Sequence, residues 1–216
     1  MDPQLGMKRS SAFQTGAGGF TLVEILVVVG LIAVLTAGLG MALQDGGGSM
    51  PLRTAEKTAA GLFQSARIQA ILQQARARVI VLDDSADSDR HLRYLGIVIE
   101  DVQNPGQWRA DSRGTLLPEG VLFLQSLSSA SEDFHIPFPM AEPQAAGNGP
   151  SWFYYEFSPR GELSGGTMGT FVVGTVARDP LQDSASLSND AGTTLGGFAV
   201  FPLGGIAFPQ HPEDLR

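Results

Sequence analysis

The chain has 216 residues, 43% of them apolar and 17% charged, with a net charge of −8. This is too apolar for wholesale disorder, and 27 Gly with 13 Pro forecast many turns. The lack of cysteine excludes a disulfide framework, a thiolate zinc site, an iron–sulfur cluster and a cysteine nucleophile, and the acidic balance disfavours general nucleic-acid binding.

From Ile25 to Leu43 nineteen residues run without a charge, and back to Phe20 the only interruption is Glu24. As a helix that run reaches ~29 Å, about the thickness of a bilayer's hydrocarbon layer. It predicts a membrane-spanning helix over 20–43 within a single-pass chain. Lys8 and Arg9 precede it and Asp45 follows, so the positive-inside rule puts the N-terminus in the cytoplasm and the remainder across the membrane.

The glycines of Asp45-Gly46-Gly47-Gly48-Ser49 disfavour helix, which predicts a bend over 44–50. Pro51 then suits the first turn of a new helix, with Ser49 as its cap. Leu52, Ala55, Ala59, Leu62, Phe63, Ala66 and Ala70 recur at helical spacing, while Arg53, Lys57, Gln64 and Arg67 fall on other faces. This predicts an amphipathic helix over 51–78 whose stripe packs on its own domain.

Beyond Arg78 the period becomes extended. Strands are predicted at Val79–Leu82, Leu92–Glu100, Thr115–Leu117, Val121–Gln125, Trp152–Phe157, Thr170–Ala177 and Phe198–Phe201. The region 79–216 thus reads as a β-rich domain of antiparallel sheet, and the whole as an α+β protein. Ser126–Pro150 receives no assignment, and 178–197 reads as a long exposed loop.

Candidate chemistry is sparse. His91, His135 and His211 have no closely spaced partner. The acidic run Asp83–Asp89 fails the EF-hand pattern, since its sixth position is Ser88 and its twelfth Tyr94, and is better read as a solvated hairpin loop. Asp179, Asp183, Asn189 and Asp190 are weak calcium candidates without a ligand pattern. No nucleophile-elbow, phosphate-loop or dinucleotide pattern occurs, so neither an enzyme nor a cofactor is expected.

One motif discriminates: Gly18-Gly19-Phe20-Thr21-Leu22-Val23-Glu24-Ile25-Leu26. A carboxylate at the edge of a lipid span is costly and calls for an opposite charge. A new α-amino group, created by a cut before Phe20, is the nearest one available. Residues 20 and 24 lie on one helix face, ~6 Å apart along the axis, so a neighbouring helix shifted by about a turn sets its amine opposite Glu24.

These residues resemble the class III signal of type IV pilins and type II secretion pseudopilins. The resemblance implies that a prepilin peptidase cuts between Gly19 and Phe20, that Phe20 is N-methylated, and that Glu24 serves assembly. Residues 1–19 would then be a leader, shorter if translation begins at Met7. It also implies a pilin-like fold, with other pseudopilins or pilins, the peptidase, an inner-membrane secretion platform and the lipid bilayer as partners. The implied location is the bacterial inner membrane, with the C-terminal domain in the periplasm.

The helix segment Ala60-Gly61-Leu62-Phe63-Gln64-Ser65-Ala66-Arg67-Ile68-Gln69-Ala70-Ile71 leading into the strand Val79–Leu82, then Leu117-Pro118-Glu119-Gly120-Val121 and Phe157-Ser158-Pro159-Arg160-Gly161, resemble the H-type minor pseudopilins and FimT-like pilins. The function so implied is a structural subunit of a type II secretion pseudopilus. The alternatives are a minor pilin of a type IV pilus, or an exported binding domain cut by ordinary signal peptidase near Gly40-Met41-Ala42. After a cut at Gly19 the chain keeps twelve bases against twenty-one acids, with no basic stripe for nucleic acid.

Overall fold

A computed structural model describes residues 22–33, 49–175 and 194–209. The chain divides into two compact units, Met1–Asp45 and Gly46–Arg216. In the first, residues 22–33 form helix α1. The expected span continues to Leu43, but residues 34–48 lie outside the described part. Among the described residues no helix is both long and apolar enough to cross a membrane.

The second unit opens with α2, Ser49–Gln73. The helix starts two residues before the expected Pro51 and stops five before the expected Arg78. Its end is set by Gln74, which takes a left-handed φ of 51°. The Gln74 amide donates to the Ile71 carbonyl at 3.4 Å and the Ala75 amide to that of Ala70 at 3.2 Å. This is a Schellman ending on a non-glycine residue. Nothing in the run Gln73-Gln74-Ala75-Arg76 is a local stop signal, which is why periodicity alone overran it.

Among the described residues eleven strands follow, all paired antiparallel. They are β1 Ala77–Asp83, β2 Tyr94–Glu100, β3 Gln107–Ala110, β4 Thr115–Leu116, β5 Val121–Phe123, β6 Ser131–His135, β7 Gln144–Ala145, β8 Ser151–Phe157, β9 Gly169–Thr175, β10 Leu195–Val200 and β11 Ile206–Ala207. The larger sheet runs β6-β8-β1-β2-β3-β7, with β4 on β2, and the smaller runs β11-β10-β9-β5. The expected strands are present with shifted ends, and the expected Ala177 lies outside the described residues. Four more strands, β3, β6, β7 and β11, occupy places where the sequence carries little alternation. Part of the expected 178–197 loop is strand, because β10 begins at Leu195, where its pairing with Gly174 of β9 begins.

Two cores result. The inner one lies between α2 and both sheets: Ala55, Ala59, Phe63, Ala66 and Ala70 meet Val79, Val81, Ile97, Phe171 and Phe198, all buried. The small alanines let the helix approach the sheet closely, and Phe63 fills the space between. The outer core covers the opposite face of the larger sheet with Ile80, Leu82, Val98, Trp108, Phe134, Ile136 and Trp152. β1 is therefore buried on both faces, which explains its continuous apolar run Val79-Ile80-Val81-Leu82. The unassigned stretch 126–150 is the cover of this second face: β6 pairs with β8, and the Trp152 indole donates to the Ile136 carbonyl at 2.9 Å.

Candidate functional site

The discriminating motif falls partly in α1. Gly19 and Phe20 lie outside the described residues. Glu24 sits in the first turns of α1 and is the sole ionisable residue of 22–33. Around it every large side chain is exposed, from Val28 at 48% to Leu22 at 80%. The helix is thus apolar on all sides rather than along one stripe. Such a surface is stable only when something other than water covers it.

In the second unit the two turn motifs are brought against the two sheets and α2. Leu117-Pro118-Glu119-Gly120-Val121 carries the chain from β4, in the larger sheet, to β5, in the smaller. Leu117 is buried, its amide and carbonyl both bonded to Arg93, and Gly120 takes the φ of 77° that closes the turn back from the Val121 amide to the Pro118 carbonyl. Phe157-Ser158-Pro159-Arg160-Gly161 forms a turn capped by the Ser158 hydroxyl, which accepts from the amides of Arg160 and Glu162 at 3.3 Å.

Arg67 ties this turn to α2, its Nε donating to the Gly161 carbonyl at 3.1 Å. A Cβ on Gly161 would come within 2.6 Å of the Ile71 side chain, and one on Gly204 within 2.4 Å of Arg67. Both glycines have positive φ, 76° and 78°. Helix and turns therefore form one locked unit, in which only glycine fits. Sequence reading missed Gly204; the available signal was the Pro202-Leu203-Gly204-Gly205 turn.

A charged cluster at the end of β1 was also missed. Arg78 pairs with Glu156 at 2.7 Å, and its guanidinium lies 4.1, 4.2 and 4.5 Å from the rings of Tyr154, Trp108 and Phe134. Arg76 bonds Glu100 and lies 3.6 Å from Glu156. The Arg76 hydrogen bond holds the Glu100 carboxyl below its ordinary range, and the same contact raises Arg76. Beside this cluster lies a groove of about 420 Å³, edged by Ser131, Ser164, Thr167 and Met168. The cluster's two arginines and two glutamates neutralise one another, and at the groove's edge the Ser164 hydroxyl donates to the Glu156 carboxylate at 3.2 Å.

The remaining candidates are dispersed. The acidic run 83–89 forms the end of β1 and the β1–β2 hairpin loop, as expected, with Asp84 and Asp87 bonding backbone amides of that loop. His91 Nδ1 lies 3.8 Å from Asp83, His135 ends β6, and His211 lies outside the described residues. Among the described residues no three His, Asp or Glu side chains gather as metal ligands. Asp179, Asp183, Asn189 and Asp190 lie outside them.

No protein-family model matches the chain, and no curated protein does. Two solved structures are similar in arrangement. One is the type IV minor pilin FimU of Pseudomonas aeruginosa, at 16% identity and a TM-score of 0.39 over 73% of this chain and 87% of that one. The other is the minor pseudopilin EpsH from the type 2 secretion system of Vibrio cholerae, at 12% identity and 0.38 over 73% and 95%.

Proposed function

We propose that the chain is a non-enzymatic structural subunit of the pilin and pseudopilin kind, matured by cleavage between Gly19 and Phe20 and assembled through its N-terminal helix. The observation that carries this reading is α1. Six of its twelve residues are β-branched, a composition that favours strand in water. In lipid or within a bundle of like helices, backbone bonding inside the segment favours the helix instead. Glu24 is the single charge on it, one turn beyond Phe20, where the resemblance places a new amine.

Within this reading the chain waits in the inner membrane, with α2 and the β-rich domain in the periplasm. Its helix then leaves the lipid for a bundle in which Glu24 of one subunit meets the Phe20 amine of the next. The Ala60–Ile71 helix and the two turn motifs favour a minor pseudopilin of a type II secretion system, of the H-type, over a minor pilin. N-terminal sequencing and intact mass of the membrane-extracted protein test the reading. A start at N-methylphenylalanine 20 is expected, and a start at Leu43 would replace it with an ordinary exported domain. A bulky residue at Gly19 should block the cut without blocking insertion, because the apolar run is untouched.

A further inference from the structure

The smaller sheet ends on a strand that stops short. β11 pairs with β10 only at Ala199↔Ala207 and Val200↔Ile206, so among the described residues 195–198 have a strand partner only on the β9 side. The Thr175 amide donates to the Thr194 carbonyl at 3.1 Å, whereas the Gly197 amide turns away from β9 and donates to the Glu56 carboxylate of α2 at 2.7 Å. Alternation along an antiparallel strand therefore points the backbone groups of Leu195, like those of Gly197, to the open edge. Continuing the β11 register sets Pro209 opposite Gly197 and His211 opposite Leu195. Proline has no amide to offer, and the Gly197 amide is already held by Glu56, so a ladder can skip this level and resume at the next.

We propose that segment 210–216, which lies outside the described residues, is a strap: it carries β11 on along the open edge of β10 as far as His211 and sets Glu213-Asp214 against Arg53 and Lys57 of α2. Direction, reach and charge select this occupant. Gly196 lies against Leu52 and Glu56, and the later Gly204 against Arg67, so β10 runs with α2 and a strand antiparallel to it heads for the first turns of the helix. Arg53 stands three residues before Glu56 and Lys57 one after; both are exposed, and among the described residues neither forms an ion pair. From His211 to Asp214 an extended chain spans ~10 Å, enough to bring the acid pair to these long side chains. The net charge of −8 opposes an incoming copy of the chain, whereas an attached acid pair is held beside the two bases at high effective concentration. The strap closes an edge that would otherwise offer unpaired backbone groups to any passing strand. It belongs to the second unit alone and does not depend on the fibre-subunit reading.

The lysines are Lys8 and Lys57 alone, so a carbodiimide, which joins an amine to a carboxylate in contact with it, reports on Lys57 in the full-length chain without any substitution. The expected product, in detergent-extracted protein, is a monomer whose peptide map links Lys57 to Glu213 or Asp214. Its yield should fall severalfold with Arg53→Glu and return when Glu213→Arg is added, leaving Asp214 to couple. Hydrogen exchange on the same protein gives the second readout: the Leu195 amide should exchange severalfold faster when the chain is ended after Pro209, while Phe171 and Val173 of β9 keep their wild-type rates. Absence of the Lys57 link to 213 or 214, or a Leu195 rate indifferent to the truncation, overturns the strap. A link found only between two chains overturns it as well, and gives the edge to a neighbour instead.

Discussion

Replacing Phe63 with alanine removes the side chain that joins α2 to both sheets. Phe63 is 1% exposed, and its ring centroid lies 4.8 Å from that of Tyr155, 5.1 Å from Phe198, 5.4 Å from Phe171 and 6.2 Å from Phe157. Deleting a buried phenylalanine costs about 3–5 kcal/mol, as lost transfer energy plus a residual cavity. The upper part of that range applies here. The surrounding rings belong to β8, β9 and β10, which are held by their own ladders and cannot collapse inward. The cost is a large fraction of the ~5–15 kcal/mol that holds a domain together. Urea unfolding of the unit Gly46–Arg216, read by the emission of Trp108 and Trp152, measures it. Both tryptophans lie in the outer core on the opposite face of the larger sheet, so their response reports unfolding of the unit as a whole. Phe63→Leu should lose less than half as much, because it keeps most of the apolar volume. A loss below about 1 kcal/mol for the alanine variant, within the range of an ordinary surface change, would refute the packing of α2 on the two sheets through Phe63.

Glu24→Ala should leave membrane insertion intact, since alanine is cheaper to place in lipid, yet reduce co-purification with partner subunits. Equal recovery of wild type, Glu24→Ala and Glu24→Gln would remove the carboxylate from the assembly mechanism. Arg67→Ala should destabilise the domain by about 1–2 kcal/mol through the lost Gly161 bond and the lost packing of its stem, with faster amide exchange at Gly161 and Gly204. Gly96→Ala should displace Phe138, whose ring would lie 2.3 Å from the new Cβ, at a cost of about 1–3 kcal/mol and with altered Trp152 emission. Because Arg76 lowers the Glu100 pKa, that pair's contribution is complete above the ordinary carboxylate range and is lost as the pH falls through and below it. Acid unfolding midpoints should therefore show a shallower pH dependence in Glu100→Gln, and an unchanged slope would count against the pairing.

Local pattern was enough for the features that repeat at short range. The alanine and phenylalanine stripe of α2 and the Val, Ile and Phe runs of β1, β2, β8 and β9 each state their own period, because a buried helix face or strand imposes it directly on neighbouring residues. The glycines of both turn motifs were legible for the same reason. What only the tertiary structure decided has partners far away in sequence. Ser131-Glu132-Asp133-Phe134-His135 is polar and becomes strand because β8 offers it an edge. Gln74 stops α2 because β1 must turn back onto the inner core, not because the residue is a breaker. Arg78, one residue short of an apolar strand run, becomes the hub of a charged and aromatic cluster only when Glu156, Trp108 and Phe134 arrive from β8, β3 and β6. Gly204 gains its role in the same way, from an arginine on a helix more than a hundred residues earlier. Periodicity records which face of an element is buried, whereas the identity of what buries it is settled by chain-distant surfaces meeting.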